Sequence, residues 1–188
     1  IVALFIALAH LNRDRSSLIL FADSLLTYVP PMRGEAQLFR ILKALLDDPS
    51  AHYRQTSLMM SFSDIEKQLQ RASLCVVISD FLDDSFGYMK YLQALSHKHE
   101  LSCLRVRDPL ELKPPKSSLF TLQDLESRQI YYPSSGDQMS QGQDAWSSQM
   151  TSRGIFAMDM TTTACSLAVI KAMIQQKSLG SRRRLRVK

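Results

Sequence analysis

Leu74-Cys75-Val76-Val77-Ile78-Ser79-Asp80 is the most strand-like run in the sequence. A half-exposed strand alternates apolar with polar residues, whereas a continuous apolar run fits a strand covered on both faces. The run ends on a carboxylate, Asp80. The fold reading grows outward from this strand in both directions.

Upstream, Ile65 and Leu69 sit at helical spacing, with Ser61 or Ser63 as the expected N-cap. Ser17-Leu18-Ile19-Leu20-Phe21 is a second apolar strand, and Leu25 to Val29 is a third. Pro30-Pro31 is expected to stop that third strand, because proline has no N–H to give to a ladder. Gly34 then opens a helix marked by Leu38, Ile41, Leu42 and Leu45, which ends at Asp47-Asp48-Pro49. The chain begins inside the apolar stretch Ile1 to Leu11 and is read as truncated at its start. A bilayer span needs about 18 apolar residues, so this stretch is expected to be part of a buried helix; a membrane anchor upstream of Ile1 stays open.

Downstream, Tyr88, Tyr91, Leu92 and Leu95 mark an amphipathic helix, and Leu101 to Val106 forms a strand before Asp108-Pro109. Ser118 to Leu122 and Arg128 to Tyr132 read as an inserted β-hairpin. Gly136 to Arg153 is read as helical from the spacing of Met139, Trp146 and Met150. Ile155 to Met160 is the last strand, and Thr161 to Thr163 are expected to cap a closing helix with Leu167, Ile170 and Ile174. Helices alternating with strands predict a three-layer α/β/α, Rossmann-like domain with a mostly parallel sheet, over residues 1–180.

Residues 181–188 form a basic tail. Arg182, Arg183, Arg184, Arg186 and Lys188 account for the whole net charge of +5, so the body is neutral and no nucleic-acid partner is expected. A binder working through the tail alone would lose affinity steeply with salt. Cys75, Cys103 and Cys165 are an odd set without metal-ligand spacing, which fits a reducing, cytoplasmic setting.

Open parallel sheets bind ligands beyond the carboxyl ends of their strands, where Asp80 is expected to lie, with Asp83 and Asp84 just after it. Asp80 has two readings. Its carboxylate can ligate magnesium, which takes oxygen ligands, or it can cap the loop or the following helix. An enzymatic alternative, a hydrolase or transferase pairing Asp80 with a histidine as acid and base, requires a histidine to reach the strand end. His97 and His99 near a helix end are better explained by the helix dipole than by metal binding, and His10 and His52 have no partner nearby in sequence. With 6 glycines and no phosphate loop, dinucleotide fingerprint or nucleophile elbow, the usual routes to chemistry on such a sheet are missing.

Several segments together resemble the bacterial family of domain of unknown function 58, whose members carry a von Willebrand factor A-like domain. Arg13-Asp14-Arg15 with Leu18 to Asp23 is similar to its Gly-Asp-Arg-Val-Gly-Leu-x-x-Phe segment, and Pro30-Pro31-x-Arg33-Gly34 to the turn that follows. Val77-Ile78-Ser79-Asp80-Phe81 resembles its fourth-strand signature. Asp108-Pro109-Leu110-Glu111 with Pro114-Pro115, continued by Leu119 to Tyr132 with Asp124 and Glu126, resembles its Asp-Pro-x-Glu-x-x-x-Pro element.

The resemblance implies a protein-binding domain and no enzyme, working beside a MoxR-type AAA+ ATPase through a metal-ion-dependent adhesion site. The Asp-x-Ser-x-Ser loop of that site would lie upstream of Ile1, and Ala36 stands where its threonine is expected, so Asp80 alone carries over. A lone carboxylate holds magnesium weakly or not at all. The implied binding surface is Gly34, Ser79, Asp80, Asp83 and Asp84.

Overall fold

A computed structural model describes residues 1–22, 24–47, 58–82, 87–109, 122–123, 130–131 and 144–185. The chain divides into two compact units, Ile1–Gln70 with Asp83–Tyr91, and Arg71–Leu82 with Leu92–Lys188.

In the first unit α1 (Val2–Leu11) leads to β1 (Ser16–Phe21), β2 (Leu25–Met32), α2 (Glu35–Leu46) and α3 (Leu58–Gln68). β1 and β2 form an antiparallel pair with Leu18 opposite Val29 and Leu20 opposite Thr27. The prolines do not stop β2, which continues through them to Met32, opposite Ser16. Proline is tolerated on an edge strand, where its missing donor need not serve a ladder. Here the side chain of Gln37, which is fully buried, supplies donors instead: its Nε2 gives hydrogen bonds to the carbonyls of Ser16 at 2.7 Å and Pro30 at 2.9 Å.

Gly34 precedes α2 with φ of 96°, a region that side chains avoid. On α2, Ile41 is fully buried. Helix α3 starts at Leu58, so Ser61 and Ser63 lie inside it and neither is the N-cap; the apolar residues Leu58, Met59 and Met60 extend the helix beyond the first capping-type serine. The ring of Phe62, also on α3, lies 5.8 Å from that of Phe21 and 6.4 Å from that of Tyr88, forming an aromatic core. The expected burial of α1 holds only at Ile6, while Leu11 stays 76% exposed. A helix apolar all round has no polar stripe to turn outward, so part of its apolar surface remains open. Among the described residues no helix is long and apolar enough to cross a membrane.

The second unit is built on β3 (Leu74–Ser79), β4 (Glu100–Arg107) and β7 (Phe156–Thr161), all parallel, in the order β3-β4-β7. Central β4 is buried at nearly every position, as a strand flanked by neighbours and covered on both faces must be. Helix α4 (Met89–Lys98) leads into β4, with Leu92 and Leu95 buried. β5 (Leu122–Gln123) and β6 (Ile130–Tyr131) pair antiparallel, which is the expected inserted hairpin. α5 (Asp144–Ser152) buries Trp146 and Met150; Met139 of the predicted helix lies outside the described residues.

Thr161 to Thr163 do not cap the closing helix. Thr161 ends β7, the next two threonines turn, and α6 (Ser166–Leu185) begins after Cys165. The basic segment expected as a tail from residue 181 is helical as far as Leu185. The architecture is thus mixed α/β with a parallel three-stranded sheet and helices, compatible with three layers.

Candidate functional site

The geometry starts from the carboxyl end of β3. Ser79 is its last residue, and Asp80 follows, exposed, where a parallel sheet presents its ligand rim. Ser79 Oγ lies 3.3 Å from Asp80 Oδ1 and accepts the N–H of Phe81 at 3.2 Å, while Asp80 Oδ1 accepts the N–H of Leu82 at 3.4 Å. These are side-chain turns in which each polar residue bonds the backbone two positions on. Of the two readings of Asp80, its contacts are those of a loop cap.

The turn holds Phe81 at φ of 53°, a left-handed conformation that costs a bulky residue about 1–2 kcal/mol. Packing offsets that strain. Phe81 is buried, with its ring 4.9 Å from that of Trp146 on α5. Trp146 also meets Arg105 of β4, whose guanidinium stands 4.5 Å from the indole centroid. Arg105 in turn is Cα-paired with Asp159 of β7 and grips its carboxylate with two bonds, Nε to Oδ1 at 2.6 Å and Nη2 to Oδ2 at 2.8 Å. A charge at a buried strand position must be paired, and this two-pronged geometry is the strong form of that pairing. A relay of contacts therefore runs from β7 through β4 and α5 to the Asp80 loop.

Further along the same rim, the carbonyl of Arg107 accepts the N–H of Thr162 at 3.0 Å, and the hydroxyls of Thr161 and Thr163 are 3.2 Å apart. Cys165 closes the rim. The backbone N–H groups of Ala168 and Leu167 bond its sulfur and lower its pKa from the ordinary thiol value, with nearby Lys171 acting in the same direction. Burial does the reverse to the other thiols, pushing Cys75 up to about 11 and Cys103 up to about 12.

Gly34 belongs to the first unit and Ser79 with Asp80 to the second. Asp83 and Asp84 lie outside the described residues. Among the described residues no three His, Cys, Asp or Glu side chains converge to hold a metal ion. One oxygen of Asp80, Oδ1, accepts the N–H of Leu82 and lies within hydrogen-bond distance of the Ser79 hydroxyl.

The pairing of Asp80 with a histidine fails for two of the four. His97 and His99 sit just before β4, whose first residue Glu100 pairs with Leu74; Asp80 lies six residues further along β3, about 20 Å away at roughly 3.3 Å per residue. His10 lies in the other unit, and His52 lies outside the described residues.

Sequence reasoning missed Arg105, Asp159, Trp146 and Cys165. A signal for the first pair was present: a charged residue inside each of two apolar strands must find a partner or carry a large desolvation penalty.

A family model described as "Protein of unknown function DUF58" matches residues 1–140. An uncharacterized protein of Mycobacterium bovis and two of Mycobacterium tuberculosis are each 27% identical over 130 residues, which cover 67% of this chain and 41% of theirs. The chain thus spans about two fifths of the length of the curated relatives it matches. No solved structure matches it.

Proposed function

Because the chain belongs to the family of unknown function DUF58, we propose that it is a protein-interaction module of the von Willebrand factor A type, which binds a MoxR-type AAA+ ATPase in a chaperone or assembly role. The observation that carries the reading is the Ser79-Asp80 turn at the carboxyl end of a parallel strand, exposed and fixed from behind by Phe81 and Trp146. A solvent-facing acidic turn held by its own side-chain hydrogen bonds is suited to recognising a partner surface, because less ordering entropy is lost there on binding. In this reading the module works in the cytoplasm.

Magnesium contributes weakly or not at all in this reading, since Asp80 already caps its own loop. Calorimetric titration with magnesium tests that point; micromolar affinity abolished by Asp80→Ala overturns it.

The partner is tested by capture of a purified, co-encoded MoxR-type ATPase on the immobilised chain. We expect capture by the native protein and at least a severalfold loss with Ser79→Ala/Asp80→Ala. Equal capture by both removes the loop face from the proposal, and absence of capture removes the partner.

A further inference from the structure

Within the first unit, β2 and α2 enclose a groove of about 490 Å³, lined by Thr27 to Pro30 on one side and by Arg40, Lys43, Ala44 and Asp47 on the other. Both walls carry information about what fits between them.

The strand wall consists of four consecutive residues. Side chains alternate between the two faces of a strand, so a cavity resting on one face would touch every second residue only. Contact with four in succession places the groove along the backbone edge. Among the described residues β2 pairs with β1 alone, and none of them takes a ladder position on its other edge. In an antiparallel ladder alternate residues direct their N–H and C=O groups away from the partner, and these point toward the groove. Pro30 and Pro31 have no N–H, which confines a further ladder to Leu25 through Val29.

The helix wall is a stripe at i, i+3, i+4 and i+7, a single helix face. Arg40 and Lys43 are exposed, and among the described residues neither they nor Asp47 are held in an ion pair. Arg40 leans toward the strand, its Nη1 2.9 Å from Met32 Sδ. Ala44, with no side chain beyond Cβ, leaves width at the middle of the stripe. From Arg40 to Asp47 the axis rises about 10 Å, the span of roughly three residues of extended chain.

We propose that this groove binds an extended, acidic peptide segment of a partner protein as an added strand on β2. Backbone hydrogen bonds to Leu25 through Val29 supply the register, and Arg40 and Lys43 select acidic side chains at one end. Asp47 offsets part of this attraction at the other end, and the two cations leave a net preference for acidic side chains. This surface is separate from the Ser79-Asp80 turn and does not depend on what that turn binds.

The test is fluorescence anisotropy of a labelled probe, acetyl-Glu-Val-Glu-Val-Glu, titrated with the full chain. Three comparisons accompany it: a Lys-Val-Lys-Val-Lys probe, an acidic probe N-methylated at alternate amides, and the variant Arg40→Glu/Lys43→Glu checked for native circular dichroism. We expect the acidic probe to bind, and each of the three changes to weaken binding by about tenfold or more. Amide exchange within Leu25 through Val29 is expected to slow when the probe is bound. The proposal is overturned if the N-methylated probe binds as well as the parent, if the charge-reversed variant binds equally, or if the acidic probe does not bind. It is also overturned if a short oligonucleotide of equal charge displaces the probe as well as unlabelled peptide does, since charge alone would then account for binding.

Discussion

Replacing Asp159 by alanine leaves the Arg105 guanidinium in a strand position where it is only 6% exposed, without the carboxylate it grips at 2.6 and 2.8 Å. Removing one partner of a fully buried ion pair costs about 3–5 kcal/mol. The Asp159 side chain is 40% exposed, so water can enter the vacated space and part of that cost is relieved. We therefore expect Asp159→Ala to destabilise the fold by about 2–3 kcal/mol. With a urea slope of about 2 kcal/mol per molar, the unfolding midpoint falls by about 1–1.5 M. Urea is the appropriate denaturant because it is uncharged and leaves the pair unscreened. The sequence has one tryptophan, and Trp146 stacks on Arg105, so its emission reads out the region under test. The double variant Arg105→Met/Asp159→Ala also removes the guanidinium that has lost this carboxylate and is expected to be more stable than Asp159→Ala alone. A midpoint shift below about 0.3 M, or a double variant less stable than the single one, would refute the view that Asp159 is there to neutralise Arg105.

Gly34→Ala meets no atom within 4 Å of the added Cβ, yet the backbone at φ of 96° disfavours any side chain; a loss of about 1–3 kcal/mol in urea unfolding is expected, and an unchanged midpoint would contradict it. Burial holds the Cys103 thiol neutral in the folded chain, its pKa raised from 9.0 to about 12. Stability from this group is therefore fully present below pH 9 and is lost as the pH rises from 9 toward 12. Cys103→Ala is destabilising at neutral pH because of the cavity, and its deficit relative to the native chain should shrink across that window; a constant deficit counts against the buried thiol as the cause. Iodoacetamide at neutral pH should alkylate Cys165 first, while Cys75 and Cys103 react only on unfolding, as peptide mass mapping will show. Preferential labelling of Cys75 would reverse the assignment.

The parallel strands were legible because their residues say so locally. Leu74 to Ile78 and Leu101 to Val106 are apolar without alternation, which is the pattern of strands covered on both faces, and both form adjacent strands of one sheet. The hairpin was legible from two short extended runs, of which Leu122–Gln123 and Ile130–Tyr131 pair. Boundaries were less so. Pro30-Pro31 reads as a stop only if the strand needs every donor, and whether it does depends on Gln37 folding back to bond the Ser16 and Pro30 carbonyls. Likewise the hydroxyls of Thr161 to Thr163 are qualified to cap a helix, but the turn places the sulfur of Cys165 at the helix start instead.

The sequence by itself determined the mixed α/β class and the position of Asp80 at a strand end, since both follow from periodicity and chain order. Tertiary structure decided what supports that position. Arg105, Trp146 and Asp159 are separated by 41 and 13 residues along the chain, and only the parallel register of β4 with β7 and the seating of α5 bring them to within bonding distance. A strand pattern fixes which residues are covered, but partners in a parallel sheet come from distant segments, so the identity of each contact is a property of the assembled layers.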